Sequence, residues 1–200
     1  MDMTFGRLIA RGVIGGLFVG HGTQKLFGWF GGPGLDGAGR TMHSLELRPG
    51  RRNALAAGAS EAAGGALLAL GALTPVAASL ITGTMVTAIR KVHFAKGPWN
   101  TQGGYEFNLA LVAAVAALTE CGPGSPSVDR ALGIDARGKI WTLAALAAGA
   151  AGSQLAIEAG RRITEQDEAQ EQMQQRGRFV RDAQLPEREP TGQETARTGA

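Results

Sequence analysis

The chain has 200 residues, 44% of them hydrophobic, a formal charge of +3 and one cysteine, Cys121. A single cysteine excludes an internal disulfide and a CxxC dithiol, so any redox chemistry has to be borrowed from a cofactor or partner. The basic residues fall between long apolar stretches rather than along one polar face, which excludes a nucleic-acid-binding surface and fits the loops of a membrane protein.

The first apolar segment runs from Phe5 to Phe30, is interrupted by His21, Gln24 and Lys25, and ends at the turn Gly31-Gly32-Pro33-Gly34. At about 1.5 Å per residue it is long enough to cross a hydrocarbon core of roughly 30 Å. It lacks a small-residue cleavage site followed by a soluble body, so it reads as a retained first helix. A basic loop with Arg40, Arg48, Arg51 and Arg52 follows, in which His43 is expected to be solvated. The second segment, Asn53 to Leu73, carries Glu61 as its only charge, and Thr74-Pro75 breaks it from a third, Val76 to Val92. These two are expected to form a hairpin. A loop from Phe94 to Gly104 leads to a shorter fourth segment, Tyr105 to Thr119, stopped by Gly122-Pro123-Gly124-Ser125-Pro126.

A fifth apolar segment, Ile140 to Ile157, is at the lower limit for crossing a bilayer and could also lie along the interface. From Arg161 the chain turns rich in Glu, Gln and Arg with late prolines, the composition of a polar helical extension that ends in disorder. The predicted fold is therefore all-α: a transmembrane four-helix bundle over residues 1–130, an additional membrane or interfacial helix over 131–160, and a charged tail over 161–200. Small residues recur at four-residue spacing as Gly12, Gly16 and Gly20 in the first helix and Ser79, Gly83 and Thr87 in the third. Both are candidate faces for close helix packing in lipid, where hydrophobicity no longer drives association.

The polar residues at membrane depth carry the functional information, because an unpaired charge there costs at least about 2.5–3.5 kcal/mol. If successive helices alternate in direction, His21, Gln24 and Lys25 at the end of the first, Glu61 near the start of the second, Arg90 and His93 at the end of the third, and Tyr105 and Glu106 at the start of the fourth share one half of the membrane. His21 and Lys25 lie at i,i+4 and Arg90 and His93 at i,i+3, so each pair occupies one helix face. The expectation is a polar cluster beneath the loop carrying Trp99, with Glu61 and Glu106 offsetting Lys25 and Arg90. The plainer reading is that such pairs fix helix register, that Lys25, Lys91 and Lys96 snorkel to headgroups, and that Trp29, Trp99 and Tyr105 form an interfacial belt. Two histidines without a third ligand at metal spacing predict no metal site.

The string His21-Gly22-Thr23-Gln24-Lys25-Leu26-Phe27-Gly28-Trp29-Phe30-Gly31-Gly32 resembles the signature HGxQKLFGWFGG of the DoxX family. Glu61 with Gly64-Gly65, His93 with Gly97-Pro98-Trp99 and Gly103-Gly104-Tyr105-Glu106, and Gly122-Pro123-Gly124 through Ser127-Val128-Asp129 are similar to further family stretches. The resemblance covers residues 4–130, departing at Arg90, where an apolar residue is commoner, and at Pro98, where an aromatic is more usual. It implies a multi-pass protein of the bacterial inner membrane with a four-helix core and a loose association with quinone-linked electron transfer or oxidative-stress defence. The expected partners are the lipid bilayer and a soluble or membrane redox protein, with homo-oligomerisation open, and a quinone is the cofactor implied. The competing expectation is a non-catalytic scaffold or a passage for small solutes, because the chain has no nucleotide-binding glycine motif and no nucleophile–base pair. The loop charges, taken over five spans, favour an outside N-terminus and a cytoplasmic tail.

Overall fold

The computed structural model describes residues 4–183, and among these every regular element is helical. Seven α-helices follow in order: α1 Thr4–Phe27, α2 Gly34–Ser44, α3 Gly50–Leu70, α4 Thr74–Ala88, α5 Glu106–Cys121, α6 Val128–Ala131 and α7 Lys139–Ala183. α1 stops because Gly28 takes φ 74 and donates its N–H back to the Gln24 carbonyl at 3.2 Å. α3 stops in the same way at Gly71, φ 62. α4 begins with Pro75 in its first turn and runs on into a π-helical stretch, Ile89–His93.

One element differs from expectation: the basic loop contains a helix, α2, whose Ala38 and Gly39 are buried against the rest. The fifth apolar segment and the polar helical extension form one unbroken helix that runs to Ala183. Backbone contacts divide the chain into two compact units, Met1–Thr164 and Glu165–Ala200. The expected disorder of the final residues falls on 184–200, which lie outside the described residues.

Within the first unit α1, α3, α4 and α5 pack as an antiparallel bundle, with α1 against α3, α3 against α4, α4 against α5 and α5 back against α1. The α1–α3 contact is the most extensive. A Cβ on Gly15 would lie 2.5 Å from the Gly65 carbonyl oxygen, and one on Gly22 would lie 2.6 Å from that of Gly58. The two backbones therefore touch, at glycines spaced seven residues apart on each helix. The predicted face of Gly12, Gly16 and Gly20 is not the one used: an added Cβ there meets nothing within 4 Å. The second predicted face is used. Gly149 of α7 sits against Ser79 and Gly83 of α4, and Thr87 donates to Ser153 at 2.8 Å. Phe18, Leu68, Ala77, Ala78, Ile81, Met85, Val115, Leu118 and Ala145 form the central core.

The end of the bundle away from Lys25 is closed by a network that the sequence reading missed. Arg11 is 1% exposed and donates to the carbonyls of Pro123 and Pro126, each at 2.6 Å, while Arg7 donates to that of Cys121 at 2.8 Å. Asp129, 2% exposed, accepts from the Leu73 and Thr74 backbone N–H groups and from the Thr74 hydroxyl, capping α4 from a distant part of the chain. Arg7 and Arg11 are thus clamps on the Gly/Pro loop.

Large apolar side chains point outward around the unit, among them Phe5, Ile9, Val13, Leu17, Leu55, Leu70, Val76, Phe107, Leu109, Ile140, Leu143 and Leu155. So broad an apolar exterior marks a surface covered by something other than water. By length and composition, the one helix among the described residues sufficient to cross a membrane is α7, over Lys139–Phe179. α4 and α5, at 15 and 16 residues, are shorter than a span by themselves, and α1 is diluted by Arg7, Arg11, His21, Gln24 and Lys25.

The two glycine sets of α1 separate packing from composition. Gly15→Ala or Gly65→Ala is expected to destabilise by about 1–3 kcal/mol through overpacking, whereas Gly12→Ala or Gly16→Ala is expected to be neutral or slightly stabilising. Thermal melts of the detergent-solubilised variants check this, and equal melting temperatures across the four would refute the α1–α3 contact.

Candidate functional site

The half of the bundle opposite the Arg11 clamp encloses a cavity of about 630 Å³, bordered by parts of α1, α2, α3, α4, α5 and α7. Its walls are mostly apolar, with Phe18, Leu80, Met85 and Leu111 among the lining residues and the exposed Phe107 at its rim, and α7 adds small residues from Ala148 to Ala156. The polar groups that reach it include His21, Lys25, Glu61, Lys91, His93 and Asn108.

The Lys25–Glu61 pair is the centre of this set. Glu61 is 5% exposed, on an α3 turn that faces α1, and Lys25 Nζ donates to its Oε2 at 2.5 Å. The pairing follows from the local sequence. Gly22 lets α1 approach α3 closely, Lys25 stands one turn later, and Gly28 ends the helix before the lysine is carried past its partner. The chain then folds back, so that Gly32 lies against the backbone of Gln24. His21 Nδ1 lies 3.2 Å from Gln24 Oε1, and Gln24 Nε2 faces the Phe30 carbonyl at 3.5 Å. Gly22, Gly28 and Gly32 of the motif are thus explained by contact and turn geometry, and two of its polar residues, His21 and Lys25, line the cavity.

His93, in the π-helical stretch, also lines the cavity, and its Nδ1 lies 2.7 Å from the Gly103 carbonyl oxygen. A carbonyl only accepts, so Nδ1 carries the proton in this contact. Lys91 pairs with Glu46 at 3.1 Å, beside the segment that joins α2 to α3.

The other predicted site residues lie elsewhere. Arg90 is exposed and donates to Gln154 Oε1 of α7 at 2.6 Å, so it does not join Lys25 and Glu61. Glu106 accepts from the Asn100 backbone N–H at 2.6 Å and tightens its own loop, instead of offsetting Lys25 or Arg90. Tyr105 stacks on Phe94 with centroids 6.0 Å apart, and Trp99 is 61% exposed at the start of a short helical turn. None of these four borders the cavity, and neither does Gln24. Asn108 was missed: it is 8% exposed and its Nδ2 lies 3.3 Å from Met85 Sδ. It is a polar residue in an otherwise apolar helix, the same signal that singled out Glu61. Among the described residues no group of three or more His, Cys, Asp or Glu side chains is placed to hold a metal ion.

Chemically, the arrangement offers an apolar chamber with one satisfied ion pair in its wall and two imidazoles whose remaining ring nitrogens are unengaged. Removing only one member of the pair leaves a buried charge without its counterion. Lys25→Met is expected to cost about 3–5 kcal/mol, and the double variant Lys25→Met/Glu61→Leu to recover most of that loss. Chemical or thermal unfolding in detergent decides this, and a single variant as stable as the parent would show that the pair contributes nothing.

Residues 6–94 match the family model described as DoxX. The match takes in α1 to α4 and the π-helical stretch, so the resemblance noted beyond Phe94 lies outside it. No curated protein and no solved structure matches the chain. The motif from His21 to Gly32 and Glu61 both fall inside the matched segment, so the chain carries a DoxX domain over residues 6–94.

Proposed function

We propose that this protein is a multi-pass protein of the bacterial inner membrane that serves membrane redox chemistry as an accessory subunit, holding a quinone headgroup in the cavity between its helices. The observation that carries this reading is the Lys25–Glu61 pair in the wall of a largely apolar chamber bordered by His21 and His93. Buried ionisable groups at membrane depth are costly, and they occur chiefly where a ligand, proton or ion is handled. The chamber lies within the range of roughly 300–1,000 Å³ typical of small-molecule sites. Phe18, Leu80, Met85, Phe107 and Leu111 would enclose a planar ring, and the polar side chains would meet its oxygens. A bound quinone supplies two-electron, two-proton chemistry, and the protein's own groups orient it and exclude water.

Membrane placement of the bundle is supported by the apolar exterior of α1, α3, α4, α5 and α7. The short α4 and α5 would be accommodated by local thinning of the bilayer and by the π-helical continuation of α4. The proposed topology has five spans, an outside N-terminus and a cytoplasmic tail, with a soluble or membrane redox protein as electron partner.

A second reading, a non-catalytic scaffold, is favoured by the fact that Lys25 and Glu61 satisfy each other. The two separate in one experiment. A short-tailed benzoquinone titrated into the solubilised protein is expected to quench tryptophan fluorescence saturably. Gly152→Trp places bulk at a cavity-lining position where an added Cβ meets nothing within 4 Å, and is expected to weaken binding at least about tenfold with little change in melting temperature. No saturable quenching by the parent protein would leave the scaffold reading in possession.

A further inference from the structure

We infer that the cavity opens sideways into the bilayer through a slot between α1 and α5, and that its ligand is an amphiphile whose hydrocarbon chain leaves through this slot between Leu17 and Leu111. The inference rests on the quinone reading above for the headgroup, and adds the route of entry and the place of the chain.

The register of the two helices sets the slot. Arg7 of α1 donates to the Cys121 carbonyl at the end of α5 at 2.8 Å, which ties the antiparallel pair at one level. Leu17 stands ten residues along α1 from that tie and Leu111 ten residues along α5 from it, so each lies about 15 Å into the bundle and at the same height. His21 and Phe107 correspond in the same way, one turn nearer the Lys25 end. All four border the cavity, yet Leu17 and Phe107 are each 54% exposed and His21 is exposed as well. Residues that wall a cavity and also face outward, on both helices of one pair, mark a mouth. On the other flank of α1, Gly15 and Gly22 bring the backbone against α3, which leaves no passage there.

The slot suits an apolar chain. Lys25, His21 and Leu17 follow one another at four-residue spacing on one face of α1 and all three line the cavity, so this wall grades from charged to apolar over two turns. On the α5 side the slot has Phe107 and Leu111, while Asn108 is buried in the bundle beside Met85. The surface around the mouth is apolar too, with Val13 and Leu109 exposed. A polar solute would have to leave water and cross hydrocarbon to reach this opening, whereas a molecule dissolved in the bilayer is already there. The gradient then orients it, with the headgroup toward Lys25 and Glu61 and the chain toward Leu17 and Leu111 and out among the lipid chains. The chain gains little by entering, because lipid is as apolar as leucine. The headgroup holds the ligand, and the slot decides which molecules can place a headgroup there.

The test uses a benzoquinone with a decyl chain that carries a mid-chain diazirine, photolysed on the full chain in lipid nanodiscs, with the adducts mapped by peptide mass spectrometry. Adducts are expected at and beside Leu17, Phe107 and Leu111, and an excess of untagged decyl benzoquinone is expected to suppress them. Leu17→Trp, which fills the slot from its rim, is expected to lower the suppressible labelling at least about tenfold. Val13→Trp, one turn away on exposed surface that does not line the cavity, is expected to leave it unchanged. Calorimetric titration with a benzoquinone lacking any chain is expected to give Leu17→Trp an affinity within about twofold of the parent. Adducts confined to outward positions such as Ile9, Ile140 and Leu143 and insensitive to competitor, or equal suppressible labelling in Leu17→Trp and the parent, would overturn the inference. The quinone reading survives either result if the chainless quinone binds the parent, and falls together with the inference if it does not. Should Leu17→Trp lose both ligands, the adduct map of the parent decides.

Discussion

Where two helix backbones touch, side chains on the contact line have nowhere to go, and the position of everything beside that line is fixed. Gly15 and Gly22 on α1 meet Gly65 and Gly58 on α3 in this way. The residues next to the seam are then forced to its flanks, and Lys25 and Glu61 fall on the same flank at the distance of a direct ion pair. Were the helices separated by even one layer of methyl groups, Lys25 would lose its hold on Glu61 and Glu61 would face the apolar chamber as a bare carboxylate. That state leaves a buried charge without its counterion, which is costly. The seam is thus a condition for the site as well as for the fold.

The two ends of the bundle solve the problem of buried polarity differently. At one end the Gly/Pro loop presents carbonyls that cannot be paired with each other, and Arg7 and Arg11 reach out of α1 to satisfy them while Asp129 caps α4. Each hydrogen bond named there joins a side chain to a backbone group. At the other end the polar groups sit around a void, several with an atom to spare. A protein holding the helices together has reason to build the first arrangement. The second is stable only because the chamber's apolar walls separate its polar atoms, and it has capacity for a guest.

How much of this was legible depended on whether the relevant signal was local. The ends of α1 and α3 were read three residues late, at the Gly31–Gly34 turn and at Thr74-Pro75, because the left-handed glycines that stop them, Gly28 and Gly71, stand inside otherwise apolar runs. Glu61 was readable because a lone carboxylate in an apolar run has to find a partner, and Lys25 was the cation at matching depth. The α1 packing face was misread because a four-residue glycine repeat and a seven-residue one coexist in α1, and only a partner helix with the same seven-residue spacing selects between them. Arg90 was misplaced for a similar reason: i,i+3 spacing with His93 assumed an α-helix, whereas Ile89–His93 is π-helical, with a different angular step per residue. Glu106 and Asp129 show the same limit. Both cap backbone N–H groups, one in its own loop and one across 55 residues, and the distant case has no sequence period to announce it.

α7 changes what the family assignment means for this chain. The matched segment ends at Phe94, yet the cavity is walled by Phe107, Asn108 and Leu111 of α5 and by Ala148 to Ala156 of α7. α7 is held to α4 by Gly149 and Ser153, close enough that Thr87 shares a hydrogen bond across the seam, and Arg90 anchors it through Gln154. The Lys25–Glu61 pair, His21 and His93 come from the matched segment, and the far wall that shapes the chamber comes from beyond it. The ion pair and the two histidines thus belong to the DoxX domain, whereas Asn108 and the outline of the chamber depend on α5 and α7 as well.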